Sequence, residues 1–305
     1  MIGKICGTGS GIPVKIMDND DLSNMVDTND AWIRERTGVE KRHIAESEST
    51  VSMAVEAGRR ALAQTGIRPE ELDMIVVSTM SPDAVLPCTA CEVQKAIGAE
   101  GAVCFDLQAA CTGFIFAYNT AQAYIQSNMC RTVLLIGSER LSRLVDWTDR
   151  GTCILFGDGA GAAVLKAAEG RAYLPVSHSD GQKGEALTCD RYIHMDGRAV
   201  FQFAVTRVPE VIREVLTKNE LLMDDIDYFV LHQANRRIVE AVAKRLRQPI
   251  EKFPMNLQEY GNTSSASIPI LLDEMNRSGK LKKGQKLVVA GFGAGLSWGA
   301  SIVEW

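Results

Sequence analysis

Residues 61–79 read ALAQTGIRPEELDMIVVST, and residues 215–233 read VLTKNELLMDDIDYFVLHQ. Each passes from the end of an apolar-patterned helix through a polar turn into a short run of strand formers. Leu72-Asp73 aligns with Ile226-Asp227. The next unit recurs as well. Cys111 opens a helical pattern leading to the strand before Gly137, and Asn262 opens one leading to the strand before Gly291. An internal repeat of helix-and-strand units reads as a duplicated fold, whose equivalent chain ends meet across a pseudo-twofold axis. Cys111 stands at such an end in the first half, and His232 and Asn262 at ends in the second. The repeat predicts that their loops converge.

Working outward, apolar runs at 74–77, 133–136, 228–231 and 287–290 read as buried strands, and 51–65, 112–127, 208–218 and 268–278 read as helices. Strands alternating with helices define an α/β fold with covered sheets. The KAAEGR stretch at 166–171 marks the seam, dividing residues 1–168 from 169–305. Apolar residues make up 46% and charged residues 23%, an ordinary globular balance that excludes a disordered or fibrous chain. No apolar run approaches the roughly 20 residues of a spanning helix. Thirty-three basic against 38 acidic residues leave a net charge of −5, so no global field recruits nucleic acid or an anionic membrane. The start, MIGKICGTGSGIP, lacks an export pattern, and a cytoplasmic protein is expected. The eight cysteines are irregularly spaced, which argues against a disulfide framework. Cys88 and Cys91 form a C-x-x-C with no second pair to complete a zinc ribbon, so no metal is expected; two small packed side chains or a redox pair both fit them.

Three residue settings bear on chemistry. In DLQAACTGFIFAYNTAQAYI, Phe114, Tyr118, Ala121 and Ile125 recur at helical spacing behind Cys111. The thiol therefore belongs to the first turn of a buried helix, where free N–H groups and the helix dipole favour a thiolate. An inert buried cysteine fits the segment equally. His232 follows the strand DYFVL and Asn262 stands at a loop-to-helix junction in YGNTSSAS; singly they read as a core histidine and a helix cap. The glycine clusters at Gly7, Gly157 and Gly291 lack both G-x-G-x-x-G and G-x-x-x-x-G-K-[ST] spacing. They read as sites of tight turns and close backbone packing, which argues against a dinucleotide site.

Six motifs in order resemble the β-ketoacyl-acyl carrier protein synthases III of the thiolase-like superfamily. They are DTNDAWIRERTG at 27–38, DLQAACTGF around Cys111, DWTDRGTCILFGDGAGA at 146–162, HQANRRI from His232, YGNTSSASIP from Tyr260 and GFGAGLSWG from Gly291. The resemblance spans nearly the whole chain and implies a five-layered αβαβα fold of two pseudo-twofold-related halves, usually a homodimer. It implies a decarboxylative condensation of an acyl-CoA primer with malonyl-acyl carrier protein that initiates fatty acid synthesis and gives a 3-oxoacyl-acyl carrier protein, CoA and carbon dioxide. Acyl-CoA is a substrate, and no cofactor is held permanently.

By the same resemblance Cys111 is the acyl-accepting nucleophile, and His232 and Asn262 donate hydrogen bonds to the enolate left by decarboxylation. Trp32 and Arg150 match the pair that sandwiches adenine, with Thr28, Arg36 and Thr37 near the nucleotide and Phe201, Ala234 and Asn235 along the pantetheine tunnel. Arg237, Lys244 and Arg245 form a basic strip suited to docking the acidic carrier protein. Two positions depart from the family pattern. Gly293-Ala294-Gly295 replaces three glycines, and alanine resists the positive φ that such a loop accommodates. Leu86 replaces a phenylalanine that in some members reaches across the dimer into the acyl pocket, which favours branched or longer primers. The rival readings are a related thiolase-like acyltransferase of secondary metabolism, a thiolase or hydroxymethylglutaryl-CoA synthase, a noncatalytic partner subunit, and a redox protein built on Cys88 and Cys91.

Overall fold

Two sheets, each organised around a parallel pair of buried strands, carry the fold of the computed structural model, which describes residues 1–305. The first contains β1 (Ile2–Gly11), β2 (Met74–Ser78), β3 (Val103–Leu107), β4 (Thr132–Glu139) and β5 (Gly159–Ala168), in the order β1-β5-β4-β2-β3. The second contains β6 (Val176–Ser179), β7 (Tyr228–Leu231), β8 (Lys286–Gly293) and β9 (Ser297–Glu304), in the order β7-β8-β9-β6. In each sheet a parallel pair, β2/β4 or β7/β8, continues into two antiparallel neighbours. Even the register repeats: Met74 faces Val133 and Tyr228 faces Leu287, the positions that the sequence repeat superimposes.

Alternation along these strands divides the core into three. Ile75, Val77, Leu134 and Ile136 face outward onto the alanine-rich side of helix α1 (Thr50–Thr65) and onto Val93 of α2 (Thr89–Ile97). Met74, Val76, Val133 and Leu135 face inward onto α3 (Gly113–Gln126). Beyond the second sheet lie α4 (Gly197–Lys218) and α5 (Arg236–Leu246), packed on Phe229, Leu231, Val288 and Ala290. Val230, Leu287 and Val289 face back onto α6 (Ser267–Arg277), which shares the central layer with α3. The result is five layers, αβαβα.

Three features depart from the sequence reading. Gly7, Gly9 and Gly11 lie inside β1 rather than in a turn. A Cβ at these positions would run into the carbonyls of Ala61, Ala57 and Met53, spaced one turn apart on α1, so the glycines let a strand lie directly on a helix. Helix α4 begins at Gly197, well before position 208, because Pro209 sits within it instead of opening it; Asp196 caps the true start by accepting from the N–H groups of Arg198 and Ala199.

The repeat also aligns differently at its second unit. A short 3₁₀ turn, Ala110–Thr112, precedes α3, and a matching turn, Ser264–Ala266, precedes α6. Both begin on a left-handed residue, Ala110 at φ 46° and Ser264 at φ 49°. The counterpart of Cys111 is therefore Ser265, not Asn262; likewise Ser78 is the counterpart of His232, and Glu139 that of Gly293. No helix is long and apolar enough to cross a membrane. Substituting Gly9→Ala is expected to destabilise the protein by about 3 kcal/mol, because the obstacle is helix backbone and not a yielding side chain. Denaturant unfolding of the variant measures this.

Candidate active site

A cavity of about 480 Å³ opens between the ends of the two sheets. Cys111, His232, Asn262, Ser264 and Gly293 are among its lining residues and are buried at its floor. Apolar walls from Leu141, Leu155, Phe156, Val200 and Phe292 rise above them. The only charged side chains lining the cavity are Arg36, Arg198 and Arg237, all exposed and therefore at the mouth.

Cys111 occupies the turn that opens α3, as its sequence setting predicted. Its backbone packs against β8: a Cβ on Gly293 would lie 2.8 Å from the Cys111 nitrogen. Burial pushes the thiol up to about 12, overcoming the lowering expected at a helix start, so the resting group is a neutral thiol. His232 leaves the end of β7 with its backbone N–H bonded to the Ala290 carbonyl at 2.9 Å. Its Nδ1 lies 2.7 Å from the Ser267 hydroxyl, and that oxygen already accepts from the Gln233 N–H at 3.3 Å. The Ser267 hydroxyl has no acceptor other than Nδ1, so its proton is directed there, which leaves the ring hydrogen on Nε2. Burial lowers the His232 pKa to about 3, so the ring is neutral near pH 7.

Asn262 is fixed in a comparable way. Its N–H donates to the Leu155 carbonyl at 2.8 Å, and its Oδ1 accepts from the Ser264 N–H at 2.8 Å, leaving the Nδ2 amide as its free end. The Gly293-Ala294-Gly295 run needs positive φ only at Gly295, at 135°, so alanine fits its position without the strain that the sequence raised.

Most of the residues expected to meet CoA lie along the cavity, but Thr28 and Arg150 are not among its lining residues. Trp32, Arg36, Thr37, Phe201, Ala234 and Asn235 line the cavity. Arg150 stacks on Trp32 with its guanidinium carbon 4.0 Å from the ring centroid, and Arg36 approaches at 4.7 Å. The Thr28 hydroxyl is buried without a partner. The Thr37 hydroxyl is engaged with the Ile33 carbonyl and the Val39 N–H, while Asn235 caps α5 through the Arg237 N–H and donates to the Arg36 carbonyl. Both are local structural roles. Arg237 lies over Phe201 at 5.4 Å, and Lys244 and Arg245 continue its exposed face along α5. Leu86 is 82% exposed and outside this cavity. Cys88 and Cys91 are free thiols at the start of α2, with sulfurs 3.4 Å apart and outside the cavity. Sequence reasoning missed Ser264, Ser267 and Glu139, since nothing in a serine-rich loop or an apolar strand end distinguishes them before the turns are superimposed.

A five-layered duplicated fold with cysteine, histidine and asparagine on one cavity floor defines a thiolase-like condensing acyltransferase. Family models for 3-oxoacyl-[acyl-carrier-protein] synthase III match residues 105–181 and, for its C-terminal part, residues 216–305. The chain is 46% identical to β-ketoacyl-[acyl-carrier-protein] synthase III of Clostridium acetobutylicum, over 99% of this chain and 98% of that one. The crystal structure of 3-oxoacyl-[acyl-carrier-protein] synthase III from Aquifex aeolicus superimposes with a TM-score of 0.97 at 44% identity, covering 99% of this chain and 100% of that one. The priming β-ketosynthase of the R1128 polyketide pathway superimposes with a TM-score of 0.96 at 36% identity, over 99% and 96% of the two chains. The chain belongs to the β-ketoacyl-acyl carrier protein synthase III family. Its reaction is the condensation of an acyl-CoA with malonyl-acyl carrier protein that initiates fatty acid synthesis.

A pH dependence follows from the buried imidazole. Folded His232 stays neutral down to about 3, whereas the unfolded residue protonates below its ordinary 6.5. The unfolded state then binds the extra proton, and stability falls as pH drops through that window. Between pH 7 and pH 5 this contributes roughly 2 kcal/mol of destabilisation. A His232→Gln variant is expected to lose that much less stability than the wild type over the same interval, read from unfolding curves at the two pH values.

Proposed function

We propose that Cys111 accepts the acyl group and that His232 and Asn262 together hold the enolate oxygen in the second half-reaction. One observation carries this reading: Nδ1 of His232 and Oδ1 of Asn262 are already occupied, so both residues offer neutral N–H donors to the cavity that holds the thiol. In the first half-reaction the acyl carbon exchanges its bond to CoA sulfur for one to Cys111 sulfur, a thioester exchange that preserves activation. In the second, the malonyl C–C bond to the carboxylate breaks and carbon dioxide leaves. The electron pair moves onto the thioester oxygen, where two preorganised donors stabilise it. The enolate carbon then attacks the acyl-cysteine, and the bond to Cys111 sulfur breaks. A neutral imidazole whose pKa is about 3 donates without ionising and does not quench the carbanion.

The groove supports CoA entry. Stacked at 4.0 Å, Trp32 and Arg150 close their own slot, so adenine enters between them only as the guanidinium swings outward by about the thickness of a ring. Thr28, Arg36 and Thr37 flank that slot in this reading, and Phe201, Ala234 and Asn235 flank the pantetheine. Arg237, Lys244 and Arg245 form the docking strip for the carrier protein. The protein acts as a cytoplasmic homodimer of chains whose halves are 1–168 and 169–305. Strand β3 is an unpaired sheet edge with Val103 exposed, and the exposed Val85 and Leu86 supply an apolar surface for a second copy. Leu86 would then reach the partner's acyl pocket and leave room for branched or longer primers.

Intact mass measurement after incubation with a panel of acyl-CoAs tests the nucleophile. A single adduct is expected, its mass naming the primer, and Cys111→Ala should abolish it; an adduct that persists identifies another nucleophile. His232→Ala and Asn262→Ala should each lower malonyl decarboxylation about 10²- to 10³-fold while sparing acyl transfer, and equal loss in both half-reactions would refute the division of labour. Arg237→Glu should raise KM for the carrier protein about tenfold with KM for acyl-CoA little changed.

A further inference from the structure

The reaction as written leaves one proton without a keeper. Cys111 rests as a neutral thiol and must lose its proton on acylation, yet His232, with a pKa of about 3, is too weak a base to hold it. Behind the thiol lies a buried acid that the mechanism has not used. Glu139 ends β4 with no exposure to solvent and no cation paired with it. It occupies the place in the first half that Gly293 occupies in the second, so the duplication sets a carboxylate beside Ser265 where the active half sets a bare backbone beside Cys111.

The hydrogen bonds around Glu139 assign its two oxygens different tasks. Oε2 accepts from the Ser81 hydroxyl at 2.7 Å, the Met80 N–H at 3.1 Å and the Thr79 hydroxyl at 3.3 Å. Ser81 and Thr79 themselves accept N–H groups, from Arg140 and Ser81 respectively, so their own protons point to the carboxylate. Oε1 meets only the Ser265 hydroxyl, at 2.7 Å, and that hydroxyl also reaches the Ser78 carbonyl at 3.0 Å. A proton on Oε1 is accommodated by a simple turn of Ser265: the acid donates to Ser265, and Ser265 donates to Ser78. Both the ionised and the neutral acid are thus fully bonded, which marks a site built to exchange one proton.

Ser264 supplies the connection. Its hydroxyl is buried and unpaired on the cavity floor that also holds Cys111, and the next residue, Ser265, bonds Glu139. Burial raises the Glu139 acid above the usual carboxylate range, which narrows its gap to the thiol. Cys111 is the titratable group facing it. Arg140, next in the chain, turns its guanidinium instead to the Ala45 and Glu46 carbonyls.

We propose that Glu139, acting through Ser264, stores the Cys111 proton for the lifetime of the acyl-enzyme. Glu139 is a positioning residue here, since it touches neither substrate. On acylation the Cys111 proton passes to the Ser264 oxygen as the Ser264 proton passes to Glu139; the acyl carbon bonds to Cys111 sulfur, and CoA leaves as a thiolate that takes a proton from solvent. On condensation the released Cys111 thiolate regains its proton from Ser264, which is refilled by Glu139. One solvent proton is consumed in total, and all of it in the first half-reaction.

The inference rests on Cys111 as the acyl acceptor, and proton counting separates the two. Wild type is mixed in lightly buffered solution near pH 7 with acetyl-CoA, isobutyryl-CoA or hexanoyl-CoA, taking whichever acylates it, with a pH indicator present and no malonyl substrate. About one proton should be taken up per Cys111 acylated, the adduct being located by mass. Glu139→Gln and Ser264→Ala should each acylate with no net uptake. Ser264→Ala, which keeps the backbone N–H that holds Asn262, should also slow acylation about 10²-fold near pH 7, with recovery as alkali ionises the thiol. Acylated Cys111 with no proton uptake in the wild type, or Ser264→Ala with unchanged uptake and pH profile, overturns the proton store and leaves the nucleophile standing. An adduct elsewhere than Cys111 overturns both.

Discussion

The position of Cys111, the proposed nucleophile, depends on one close approach, that of its turn against Gly293. A Cβ on Gly293 would lie 2.8 Å from the Cys111 nitrogen and 3.2 Å from its Cβ, so only glycine lets the two backbones meet. The contact joins the halves, because the turn belongs to the first repeat and the strand end to the second. His232 follows from it: β7 pairs in parallel with β8, Leu231 opposite Ala290, and the chain leaves that register one residue later with the imidazole directed to the cavity. Asn262 is tied in from the other side, where its backbone bonds Leu155 and Gly157. Three side chains from three loops are thereby held by backbone contacts rather than by their own rotamers, the kind of support that a site of fixed geometry requires.

How much of this is legible in the sequence depends on what each feature leaves in the residue pattern. Buried parallel strands leave near-continuous apolar runs, and MIVVS and YFVL were readable for that reason. The duplication was readable because its helix–turn–strand unit kept its apolar spacing while its identities drifted. Strand β1 was not, since its glycines read as tight turns and close backbone packing; the close packing is present, against α1, but within a strand and not a turn. Helix α4 starts well before the 208–218 pattern and carries Pro209 in its interior, a residue that helices seldom accommodate there. Cys111 aligns with Ser265 and not with Asn262, because the helical pattern after Asn262 begins only beyond a separate 3₁₀ turn, Ser264–Ala266. The true marker, a left-handed residue opening each turn, is carried by alanine and serine, and neither announces positive φ. Cys111, His232 and Asn262 stand in recognisable motifs and meet in one cavity, whereas Ser264, Ser267 and Glu139 enter through contacts that only the folded chain creates.

The distribution of charge explains why such a site suits decarboxylation. Arginines stand at the mouth, where they would meet a phosphate-bearing substrate, and no ionised group lines the floor beside the thiol. A malonyl carboxylate carried past the mouth leaves its hydration behind and finds no cation to replace it, which favours the step that discharges it as carbon dioxide. In the proposed reaction the negative charge then moves to an oxygen, where His232 and Asn262 would present donors that are neutral beforehand and remain so. A lysine on the floor would stabilise the ground-state carboxylate along with the enolate, and only a difference between the two accelerates the reaction. The same reasoning bears on Glu139. An ionised acid behind the thiol would oppose an arriving carboxylate, whereas an acid holding the thiol's proton is neutral when the malonyl group enters. Storing that proton would leave the floor uncharged at the stage when a second anion must approach it.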